Sequence, residues 1–192
     1  MLYSAMALQG AEVVARDGTP LGRLVDAYAN TETHAVEILI VDGTATGGAV
    51  RLIPAATVTE YNTDLRVLTV NLSALEAAGC EAAPEGIPVM LEARGERGGR
   101  LHVVARVVGF MVQAKDGGIG QASDFLVDSD GLVIRFLVVD TRDWLPGSDK
   151  LIPLPWVESV DWQRSRLFLK ITQAKAKTCQ RASAGSHLLD RG

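Results

Sequence analysis

Apolar residues along this chain come in short, β-branched runs of strand length. Val36-Glu37-Ile38-Leu39-Ile40-Val41 and Val133-Ile134-Arg135-Phe136-Leu137-Val138-Val139 are apolar at nearly every position. That pattern predicts strands buried on one face and partly covered on the other. Arg51-Leu52-Ile53-Pro54 and Lys150-Leu151-Ile152-Pro153 read as strands ended by proline, which cannot donate to a ladder. Val67-Leu68-Thr69-Val70 and Leu167-Phe168-Leu169 add a further strand each. Two short segments have helical chemistry instead: Leu75-Glu76-Ala77-Ala78, and Gln173-Ala174-Lys175-Ala176-Lys177.

These runs recur in the same order at a spacing of about 99 residues. Leu2 to Gly10 lies opposite Leu101 to Gly109. Val13 to Gly18 lies opposite Val112 to Gly117, and after a one-residue slip Leu21-Gly22 meets Ile119-Gly120. Asp26 falls on Asp124, Leu39 to Asp42 on Leu137 to Asp140, and Leu52-Ile53-Pro54 on Leu151-Ile152-Pro153. Asp17-Gly18 and Asp116-Gly117 are hairpin signals, because both residue types tolerate the positive φ of tight turns. Gly22 and Gly120 predict a bulge or a close backbone approach. The expected organisation is one repeat over residues 1–72, a linker over 73–100, a second repeat over 101–172, and a flexible tail over 173–192. Pro88 to Glu92 could add a strand within the linker. Five or six short strands per repeat predict a small closed barrel, which leaves no sheet edge. The expected fold class is mainly β, with short helical turns in the linker and tail.

The second repeat contains Val108-Gly109-Phe110, Ala114 to Gly120, and Asp124-Phe125-Leu126-Val127-Asp128, followed by Ile134 to Gly147, Leu151-Ile152-Pro153 and Trp156-Val157. In this order they resemble a PRC-barrel domain, the β-barrel of the photosynthetic reaction-centre H subunit. The stretch Arg142-Asp143-Trp144-Leu145-Pro146-Gly147 resembles the loop of a bacterial tandem-PRC subgroup. The first repeat has Gly43-Thr44-Ala45-Thr46-Gly47-Gly48 there. The resemblance implies two tandem barrels, a role in protein contacts, and no catalytic residue set. It also implies likeness to a domain of a ribosome-maturation factor.

Composition is that of a globular protein, 47% hydrophobic and 22% charged. The net charge of −4 points away from nucleic acid as a partner. No apolar run approaches the roughly 20 residues of a spanning helix, and the first ten residues do not read as a signal peptide. The expected location is cytoplasmic, so Cys80 and Cys179 read as free thiols rather than a disulfide.

The search for chemistry returns no catalytic, metal or cofactor set, and the chain reads as a non-enzyme. His34, His102 and His187 are isolated, and Asp124, Asp128 and Asp130 lack the distal Glu of a calcium loop. Ser186-His187 has no orienting acid, and Cys80 sits in an acidic, Ala-rich setting. Asp26, Asp42, Asp124 and Asp140 read as acceptors for turn N–H groups. Lys170, Lys175, Lys177 and Arg181 give the C-terminus local positive charge. Trp144 reads either as an exposed contact residue or as a plug for its own barrel. Trp156 and Trp162 read as packing residues.

The leading expectation is a protein-interaction or scaffold module with an unidentified protein partner, contacted through Arg142, Asp143, Trp144 and Leu145. Two alternatives stay open: an RNA- or ribosome-associated factor, and a small-ligand binder with its ligand between the barrels. A homo-oligomer is also compatible with the sequence.

Overall fold

A computed structural model of the chain describes residues 1–86, 90–92, 100–142 and 149–182. Strand β1 (Leu2–Ser4) leads into a single turn, α1 (Ala5–Leu8), followed by β2 (Glu12–Val14), β3 (Pro20–Asn30) and β4 (Val36–Asp42). Then come β5 (Val50–Pro54), β6 (Val58–Asn62), β7 (Val67–Val70) and the short helix α2 (Ala74–Ala78). Strands β8 (Met90–Glu92) and β9 (Arg100–Val103) precede β10 (Met111–Ala114), β11 (Gly117–Asp128) and β12 (Val133–Asp140). The series ends with β13 (Lys150–Pro153), β14 (Val157–Asp161), β15 (Arg166–Leu169) and α3 (Gln173–Lys177).

The protein is mainly β, and its strands form two sheets of the same design. One runs β5-β4-β3-β2-β7-β6 and the other β13-β12-β11-β10-β15-β14. All these neighbours whose register is defined pair antiparallel except β2 with β7 and β10 with β15, which are parallel. Each path is open: among the described residues, no ladder joins β5 to β6 or β13 to β14. The hydrogen-bonded closure expected from the strand count is therefore not made. One edge strand of each sheet, β5 or β13, is covered in another way. Leu52 N–H donates to the Glu81 carbonyl and Ala83 N–H to that of Val50. The other sheet repeats this, with Leu151 N–H on Gln180 and Ala182 N–H on Asp149. A pinned segment of this kind occupies edge groups that could otherwise recruit another chain.

Each sheet supplies its own core, so one face must curl inward. Val13, Leu24, Leu39, Val41, Ile53, Leu68 and Val70 come from five strands of one sheet and form one buried cluster with Ala77 of α2. The positions equivalent to these by the repeat, among them Val112, Leu137, Val139, Ile152, Leu167, Leu169 and Ala176, are buried too. A sheet whose single face encloses a core in this way needs sharp bends, and glycines at bulges supply them. Gly22 has φ +142° and Gly120 φ +139°. A Cβ at either would overlap the carbonyl oxygen at the end of the next strand, Asp42 or Asp140. Both glycines pair beside a register shift, between Val13 and Val14 or between Val112 and Gln113.

The chain divides into two compact units that interleave the repeats. An N unit contains Met6–Val104 with Gly131–Val133, and a C unit contains Met1–Ala5, Ala105–Asp130 and the chain from Ile134 on. The cause lies in the leading strand of each repeat. In the C unit, Leu2, Tyr3 and Ser4 of β1 pair antiparallel with Asp128, Val127 and Leu126 of β11. In the N unit, Leu101, His102 and Val103 of β9 pair with Asn30, Ala29 and Tyr28 of β3. Equivalent strands thus dock on equivalent positions, each in the unit of the other repeat. The outer faces are covered accordingly. Tyr28, Ile40 and Leu52 pack with Leu101 and Val103, while Leu126, Val138 and Leu151 pack with Leu2. This explains the unbroken apolar run of β4: Leu39 and Val41 face the inner core, and Ile40 the outer cluster.

The segments expected to be linker and tail are partly built into the units. Ala77 and Ala176 are buried, and α2 and α3 follow β7 and β15 at equivalent places. The repeat therefore runs on through Cys80 and Cys179, and residues 173–182 are structured.

Two predictions follow from this packing. Gly120→Ala should lower stability by about 2–3 kcal/mol, the scale of overpacking against fixed backbone, measured by urea denaturation at unchanged m value. Gly118→Ala is the control, since its nearest neighbour to an added Cβ is a Gln113 side-chain oxygen at 3.8 Å, an ordinary contact. If a protease site is inserted between residues 93 and 99 and cut, the two pieces should co-elute on native gel filtration. Each piece contains a strand built into the unit of the other.

Candidate functional site

The side chains that distinguish the two units gather around α3. Thr172 Oγ1 accepts from Lys175 N–H at 3.3 Å, capping the helix start. Asp116 Oδ1 accepts from Gln173 N–H at 2.7 Å, and Gln173 Nε2 donates to the Gly118 carbonyl at 2.8 Å. These two bonds fix α3 to the β10–β11 turn. At the other end, buried Lys150 sends its ammonium to the carbonyls of Lys177 at 2.9 Å and Cys179 at 3.0 Å. A cation on the last carbonyls of a helix satisfies acceptors that have no intrahelical partner. The Nζ of Lys175 lies 5.5 Å from the centroid of the Trp156 ring, a cation–π distance. Lys170 donates from its main chain to Trp156 O at 2.8 Å and from Nζ to Pro155 O at 3.0 Å.

The N unit shows the same scaffold with different chemistry. Ser73 and Glu76 form a full capping box at the start of α2. Arg16 Nη2 lies 3.1 Å from Glu76 Oε2. Arg51, equivalent to Lys150, donates to the Cys80 carbonyl at 2.9 Å. By the repeat, Arg16 corresponds to Lys115, Glu76 to Lys175, Ala78 to Lys177, Asn71 to Lys170 and Thr57 to Trp156. An ion pair in one unit has become two lysines in the other, and Lys115, Lys170, Lys175 and Lys177 are all exposed.

The expected turn residues take up local bonds. Asp17 Oδ1 accepts from Thr19 N–H at 3.0 Å, which holds its carboxyl below the usual range. Asp42 accepts from the hydroxyl and N–H of Thr44, with the same effect. Asp26 and Asp124 each accept from the next residue's N–H at 2.7 Å, and Asp124 also accepts from the Ser4 hydroxyl. Gly18 has φ +84°. Gly117 opens β11 directly and pairs with Ala114, so Lys115-Asp116 is a tighter turn than its counterpart, where one more residue intervenes.

Of the expected contact residues, Asp143, Trp144 and Leu145 lie outside the described residues, as do Ser186 and His187. Arg142 is the described residue that precedes Asp143. Its main-chain N–H donates to Asp140 Oδ1 at 3.0 Å, and its guanidinium pairs with the same carboxylate. Trp162 stacks edge-on against Phe110, with ring centroids 5.6 Å apart. Cys80 and Cys179 are free thiols pushed up by burial. Among the described residues, no group of three or more His, Cys, Asp or Glu side chains could hold a metal ion.

Sequence reasoning missed the pairing of Trp156 with Lys175 and the burial of Lys150. The available signal was the repeat itself, which continues past the expected boundary from Ser73 to Cys80 against Thr172 to Cys179. Compared with models of known families the chain matches none, and no curated protein is similar to it in sequence.

Asp140 and Asp149 titrate in opposite senses. Hydrogen bonds from Arg142, with its charge, lower the pKa of Asp140. Burial, then the nearby Asp140 charge, raises that of Asp149. A lowered folded pKa adds stability above the unfolded value of about 3.9, lost as pH falls through the folded value. A raised one subtracts stability once pH exceeds the unfolded value. Asp140→Asn should therefore destabilise the protein at pH 7 and Asp149→Asn should stabilise it. Both differences should shrink as the pH is lowered to about 3, followed by thermal melting at each pH.

Proposed function

We propose that this chain is a non-catalytic protein-interaction or scaffold module built from two PRC-type barrels, working in the cytoplasm. One observation carries the reading: the two units share their inner positions and differ in their exposed charged and aromatic ones. Packing fixes the inner set, so divergence outside it marks the surface where the units can do different things. The mainly-β fold, the repeat and the curled single-sheet cores agree with the resemblance to PRC barrels. Among the described residues no helix is long and apolar enough to cross a membrane. The loop that follows Arg142 supplies the proposed contact residues Asp143, Trp144 and Leu145, and Trp and Arg are over-represented at interface hot spots.

The test is co-purification from the native host, with wild type and Trp144→Ala compared at equal loading. Recovery of the main partner should fall at least about tenfold, the scale of one lost hot-spot residue, with the melting temperature unchanged. Equal recovery with both proteins would remove Trp144 from the contact.

A further inference from the structure

The exposed surface of α3 carries lysine where the N unit carries an ion pair. The N unit neutralises Arg16 with Glu76 at this place. The C unit puts Lys115 and Lys175 at the same two positions and adds Lys170, whose ammonium donates to the Pro155 carbonyl next to Trp156. Two like charges at positions that form an ion pair in the sister unit are a local electrostatic cost. Such a cost is relieved when a partner brings the opposite sign. Half-buried Trp156 lies under Lys175 and gives the patch an apolar floor. At this end Asp116 is committed to the N–H of Gln173, and Glu158 is exposed on β14, two residues from Trp156.

We infer that this lysine–tryptophan face of the C unit docks an acidic segment of a partner protein. This rests on the protein-interaction reading and names the chemistry of the partner. Three observations favour carboxylates on a protein over a polyanion such as RNA or an anionic membrane. The cations Lys115, Lys170 and Lys175 are point charges suited to single carboxylates, whereas bidentate phosphate recognition favours the arginine fork. The face is small and local, and the chain as a whole carries −4. Residues 1–104 have thirteen Asp and Glu against seven Lys and Arg, so a long polyanion tracking the molecule would meet repulsion. Residues 105–192 have twelve basic and ten acidic residues, so the positive character belongs to the C-terminal half.

The Lys175→Glu variant tests this with little risk to folding, because it recreates with Lys115 the pair that Arg16 and Glu76 make in the sister unit. The probe is a fluorescein-labelled deca-glutamate peptide at low salt, read by anisotropy on the full chain, with deca-glutamine and a ten-nucleotide RNA alongside. Wild type should bind deca-glutamate and not deca-glutamine. Lys175→Glu should weaken binding about tenfold, while Arg166→Glu, an equal charge change on exposed β15, should weaken it less than about twofold. Lys115→Glu should reproduce the loss if Lys175→Glu proves unstable. Equal weakening by Lys175→Glu and Arg166→Glu would overturn the inference, since it would mean net charge alone decides. Tighter binding of RNA than of peptide would overturn the choice of partner. If a partner depends on Trp144 but deca-glutamate does not bind, the acidic-segment inference fails while the interaction reading stands. Absence of both would sink the two together.

Discussion

Two strands of three paired residues hold the plan of this molecule together. Strand β1 lies on β11, and β9 lies on β3, each in the unit built mainly from the other repeat. Few hydrogen bonds are involved, so the ladder alone is a weak tie. What makes it consequential is the apolar surface beneath. Tyr28, Ile40 and Leu52 on one sheet, and Leu126, Val138 and Leu151 on the other, are outward-facing residues in sheets whose inner faces are already full. Leu101 and Val103 in one case and Leu2 in the other help keep them from water. Burying a side chain of this size is worth roughly 1.5–3 kcal/mol, more than the net value of a single backbone hydrogen bond. The leading strand is therefore an anchor for a second apolar layer as well as an added ladder.

The same logic accounts for the helix ends. A small curled sheet has two open edges and an open mouth, and the residues after the last strand serve both. A one-turn helix sets an alanine, Ala77 or Ala176, against the core, where a larger side chain would overfill it. The chain then turns back and gives its carbonyls and N–H groups to β5 or β13. Arg51 and Lys150 point from those edge strands to the carbonyls at the helix ends. Lys150 can be buried because its ammonium donates to carbonyls whose dipoles favour a cation there.

Much of this was legible in the sequence because it depends on local pattern. The strands of both repeats, the glycines at 22 and 120, the turn aspartates and the short helices follow from periodicity, φ requirements and hydrogen-bonding chemistry. The interleaving of the units was not legible. Leu2-Tyr3-Ser4 and Leu101-His102-Val103 carry no mark of which β-strand edge they join, since pairing partners are chosen by distant surfaces. The burial of Ala77 and Ala176 was not legible either, because an alanine-rich helix looks like linker when its fit to a core cannot be seen. Strand count argues for a closed barrel, but a sheet can instead enclose its core and cover one edge with a non-strand segment, as β5 and β13 are covered here. The contact residues Arg142, Asp143, Trp144 and Leu145 rest on residue type and on a resemblance, and the contrast between Glu76 and Lys175 emerges only when the units are compared position by position.

That comparison separates two kinds of constraint. Inner positions tolerate only volume-preserving changes, such as Leu24 to Ala122 together with Ala27 to Phe125 in the following turn of the strand. Polar positions tolerate a change of sign if the pair changes together. Buried Asn30 donates to Glu37 at 2.8 Å, and at the same place buried Asp128 accepts from Arg135 at 3.2 Å. Donor and acceptor have exchanged roles, yet each buried group has a partner, because leaving one unsatisfied costs more than the bond itself contributes. Exposed positions are free of that demand, since water screens them. A charge pair that changes on only one side, as Glu76 to Lys175 opposite a retained cation, is therefore not required by the fold. Within the unit Lys175 has the Trp156 ring at 5.5 Å in place of the lost ion pair, and an oppositely charged partner surface would offset the repulsion between Lys175 and Lys115.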